Sequence, residues 1–152
     1  MTQPSDGFLK GVHAKLATEA LTVQRYTYFA QIAEIEGHTE TAKLFRELAA
    51  SVACVAHGHL DVLRDRLPQT LGDTALNLAS SLSEALRDAE GTYPDLTADA
   101  FEEGQIDVAS WLTTAGALKK AHVAKLDAAL RELTDSADRS NALTTVPGGS
   151  DD

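Results

Sequence analysis

The sequence predicts an all-α protein: an antiparallel four-helix bundle made of two helical hairpins joined by a crossover, with a disordered C-terminal tail. Three observations carry that expectation. Prolines are confined to positions 4, 68, 94 and 147, and the stretches between them are rich in Ala, Leu, Glu, Lys and Arg, which favour helix over strand. Apolar residues recur at the 3.6-residue period in four long segments. A weak internal repeat at an offset of 67 residues matches Tyr26, Ala33, Glu36-Gly37 and Ala42 with Tyr93, Ala100, Glu103-Gly104 and Ala109, so the second hairpin repeats the first.

The first helix is expected over about residues 7–36, closed by Gly37, and the second over about 39–66, closed before Pro68. Pro68 to Gly72 reads as the crossover. Asp73 is a natural N-cap for a third helix over about 74–103, kinked rather than ended by Pro94, because the apolar pattern continues through Leu96 and Ala100. Gly104 separates it from a fourth helix over about 105–133. The bundle thus occupies residues 1–133, and the Ser-, Thr-, Asn- and Gly-rich stretch 134–152 reads as a flexible tail. The expected core stripes are Phe8, Val12, Val23, Tyr26, Ala30 and Ala33; Phe45, Leu48, Val52, Val55 and Leu63; Leu78, Leu82, Ala85, Ala89, Tyr93 and Leu96; and Trp111, Ala115, Leu118, Leu126, Ala129 and Leu133. Three polar residues fall on these inward lines: Glu19, His59 and His122.

The chain of 152 residues is long enough to bury one domain's core without disulfides. Its formal charge of -10, from 13 basic and 23 acidic residues, argues against nucleic acid and anionic membranes as partners. One cysteine, Cys54, excludes an internal disulfide and any C-x-x-C iron or zinc knuckle within this sequence. No basic-then-apolar leader and no membrane-length apolar run is present, so a cytoplasmic location is expected.

The run Glu19-Ala-Leu-Thr-Val-Gln-Arg-Tyr-Thr-Tyr-Phe-Ala30, followed by Glu36-Gly37 and Ala42-Lys-Leu-Phe45, resembles the first hairpin of rubrerythrins, in the ferritin-like superfamily. Tyr93-Pro94, Glu102-Glu103-Gly104 and Ala109 resemble their second hairpin, and the resemblance spans roughly residues 8–131. It implies a di-iron site with a glutamate on helix 1, two on helix 3 and a Glu-x-x-His pair on each of helices 2 and 4. Carried across, the helix 1 ligand is Glu19. The helix 2 pair falls on Val52 and Val55, which cannot bind metal. The helix 3 positions fall on Ala85 and Asp88, or on Glu84 with a one-residue slip, and the helix 4 pair on Lys119 and His122. With an ammonium in a ligand's place, Glu19 is expected to pair with Lys119, and no cofactor is expected. Any residual metal would be iron, held by Glu19, His122 and Asp88 or Glu84.

The leading functional expectation is a non-redox binding or interaction scaffold in a bacterial cytoplasm. An alternative is metal-independent acid–base catalysis by Glu19, Lys119 and His122. Another is an iron-dependent oxidase or peroxidase with a mononuclear site. Cys54, His57 and His59 form C-x-x-H-x-H, but an unbroken helix turns His59 away from the other two, so no metal site is expected there. Asp88 reads as solvated, His59 as a satisfied core histidine, and Tyr26, Tyr28 and Tyr93 as packing residues rather than redox relays. Ala50, Ala53 and Cys54 give helix 2 a small-residue outer face suited to a homodimer. The stretch Asn141 to Gly149 has a passing similarity to the segments by which cargo ferritin-like proteins dock inside encapsulin shells, without a clear match, and reads as a solubilising tail.

Overall fold

The computed structural model describes residues 4–64, 66 and 72–144. It is all-α among those residues, with α1 at Asp6–Ile35, α2 at Thr39–Arg64, α3 at Thr74–Arg87, a π-helical segment at Asp88–Thr92, α4 at Tyr93–Glu102 and α5 at Ile106–Thr144. The chain divides into two compact units, Met1–Leu71 and Gly72–Asp152. Each contains one helical hairpin: α1 packs on α2 in the first, and α3, the π segment and α4 pack on α5 in the second.

Local chemistry sets the helix ends. The hydroxyl of Ser5 accepts from the N–H of Phe8 at 3.3 Å, and the carboxylate of Asp73 accepts from the N–H of Leu76 at 2.9 Å, each satisfying a donor of a first turn. The caps at Asp73, Gly37 and Gly104 are as the sequence predicts. Both glycines have positive φ, 83° and 71°, and close the same Schellman geometry. His38 N–H reaches back to the carbonyl of Ala33 at 2.8 Å, and Gln105 N–H to that of Ala100, also at 2.8 Å. The next helix starts identically in both, with Ala42 N–H bonded to the His38 carbonyl and Ala109 N–H to that of Gln105. The repeat read from sequence is therefore a repeat of hydrogen bonds.

The third predicted helix runs on through Pro94, but the accommodation is a widened turn rather than a simple kink. Pro94 has no N–H to give the carbonyl of Glu90, and its ring would crowd that carbonyl in a regular helix. The five residues Asp88–Thr92 take π geometry instead, and the N–H of Tyr93 bonds five residues back to the Asp88 carbonyl. A π turn inserts one residue. N-terminal to it the correspondence between hairpins shifts from 67 to 66, which pairs Glu19 with Ala85.

Each hairpin closes along an alanine seam. Ala42 and Ala109 are wholly buried, and Ala30, Ala33, Ala49, Ala85, Ala89, Ala100 and Ala115 nearly so. Gly116 takes the place matching Ala49, and a Cβ there would approach the Cβ of Tyr93 to 3.3 Å, so the backbones are already close. The expected core stripes are corrected here. Phe8, Leu48, Val55, Leu96, Trp111, Leu118 and Leu133 are all exposed, Trp111 by 64%. Small residues bring two helices together along a narrow line, and larger apolar side chains beside that line are left outside it.

The fourth helix is longer than the expected 105–133 and continues past residue 133 to Thr144. Thr134, Ser136 and Thr144 turn their hydroxyls onto carbonyls four residues back, at 2.9, 2.8 and 2.7 Å, so these polar residues are absorbed by the helix. No glycine or proline interrupts before Pro147. Residues 145–152, and Pro68 to Leu71 of the expected crossover, lie outside the described residues.

Candidate functional site

In the second hairpin, α3 and α5 enclose a groove of about 340 Å³ lined by Ser81, Glu84, Ala85, Lys119, His122, Lys125 and Leu126. Four of these, Glu84, Ala85, Lys119 and His122, are positions on which the resemblance stated above leads one to expect ligands or their near neighbours. Antiparallel packing on the alanine seam brings them to one place, because residues three or four apart on each helix share a face.

Beside the groove, Asp88 opens the π segment and its carboxylate lies 2.9 Å from the Lys119 ammonium. Asp88 is only 26% exposed and Lys119 33%, so the reading of Asp88 as merely solvated is corrected. The hydrogen bond from Lys119 holds the Asp88 carboxyl below the usual aspartate range. The same bond holds the Lys119 ammonium above its usual value, against a smaller opposing effect of burial.

Glu19 and Lys119, the pair expected from the sequence, lie in different units, and each has an ion-pair partner within its own unit. Glu19, with its side chain 15% exposed, lies 2.7 Å from Lys15 one turn earlier on α1. The first pair is one helical turn apart, and the second joins α5 to the π segment within the second hairpin. His122 lines the groove but is exposed, not enclosed in a core. His59 is half-buried, and its Nε2 is shut from solvent with no hydrogen-bond partner among the described residues, so it is not the satisfied histidine expected. Cys54 and His57 are both exposed. Tyr26 packs against Phe45 and Phe29, at ring-centre distances of 5.8 and 6.5 Å, and Tyr28 lies exposed.

Among the described residues, no group of three or more His, Cys, Asp or Glu comes together in a way that could hold a metal ion. A smaller cavity of about 270 Å³ lies beside the π segment, at Tyr93, Pro94, Thr97, Thr113, Gly116 and Lys120. The Thr97 and Thr113 hydroxyls there are bonded to carbonyls of their own helices, which leaves it few polar groups for a ligand.

The chain is 26% identical over 132 residues to rubrerythrin-1 of Clostridium acetobutylicum, an alignment covering 79% of this chain and 68% of that protein. This supports a rubrerythrin-like relationship. No protein-family model matches the chain. Among the described residues, no helix is long and apolar enough to cross a membrane. The ion pair and groove could have been found from sequence by one signal: Lys119 and Asp88 both fall on ligand positions of the rubrerythrin-like pattern and carry opposite charges.

Proposed function

We propose that this chain is a rubrerythrin-like protein in which most of the side chains for paired irons have been replaced, and that it works as a non-redox binding scaffold. The observation that carries the reading is the ion pair between Asp88 and Lys119 at 2.9 Å. A carboxylate at a ligand position is satisfied by an ammonium at another, so the donor is already spent and the cation would repel a metal ion. Val52 and Val55, where the pattern calls for Glu and His, offer no donor atoms at all. The residues present do not fit a di-iron centre.

Acid–base catalysis by Glu19, Lys119 and His122 is the weaker reading. A lysine acts as a general base only when it is deprotonated near neutral pH, and Asp88 holds Lys119 in the charged form.

Elemental analysis of the intact chain after anaerobic reconstitution with ferrous iron and desalting tests the proposal. No bound iron is expected. A content near two irons per chain would overturn it, and about one would establish the mononuclear alternative in its place.

A further inference from the structure

No further inference is drawn: the strongest candidate, the apolar face that Leu44, Leu48, Val55 and Val62 leave exposed along α2 of the first hairpin, carries nothing because nothing in the structure shows what covers it.

Discussion

Asp88 and Lys119 stabilise each other's charged forms, and this gives the folded chain a pH dependence with a fixed sign. Asp88 has its carboxyl held down in the fold, so its contribution is complete above the ordinary aspartate value of about 3.9 and is lost as pH falls through the lower, folded value. Lys119 is held up, so its contribution is complete below the ordinary lysine value of about 10.4 and is lost as pH rises through the higher, folded one. Across the neutral range both terms are constant. The variant Asp88→Asn should therefore melt lower than the parent at pH 7, and the difference should shrink as the medium is acidified below the usual aspartate range. Melting curves of both proteins across acid pH check this. A difference that stayed constant down to the most acid point would mean that the carboxylate's charge contributes nothing. The sequence pointed to both residues through the rubrerythrin-like pattern. It did not reveal their pairing, because Glu19, on an inward line of α1, was the more conspicuous anion.

At the scale of elements, the turns were the most legible part of the chain. Gly37 and Gly104 announce left-handed residues directly, since other residues pay a steric cost there, and Asp73 announces a cap. Replacing either glycine with alanine should lower unfolding free energy by about 1 kcal/mol or somewhat more, measured by denaturant titration. The two losses should be similar because the hydrogen bonds around the two sites match. A neutral Gly104→Ala beside a costly Gly37→Ala would show that the repeat is not energetic. The π segment was not legible as such, for composition does not mark an inserted residue. Helix faces were misread for a related reason. Apolar periodicity finds the broad face of a helix, but the buried line within a hairpin is set by its smallest residues, so Ala109, Ala115 and Gly116 are enclosed while Trp111 and Leu118 are not.

For the molecule as a whole, an all-α chain of paired hairpins was readable from period, proline placement and the internal repeat, whereas the extent of the last helix was not. Polar composition over residues 134–144 argued for a tail, yet hydroxyls that fold back onto the helix satisfy themselves without a core. Function lies further from the sequence, because it turns on which donors converge. Here a lysine and an aspartate meet where two metal-binding side chains would be sought, and two valines stand at another pair of such positions. Anomalous difference maps at the iron edge, from crystals of the intact chain grown with ferrous iron, put this most directly to the test. The account predicts no iron within bonding distance of Glu19, Asp88 or His122, and a pair of iron peaks bridged by those side chains would contradict it.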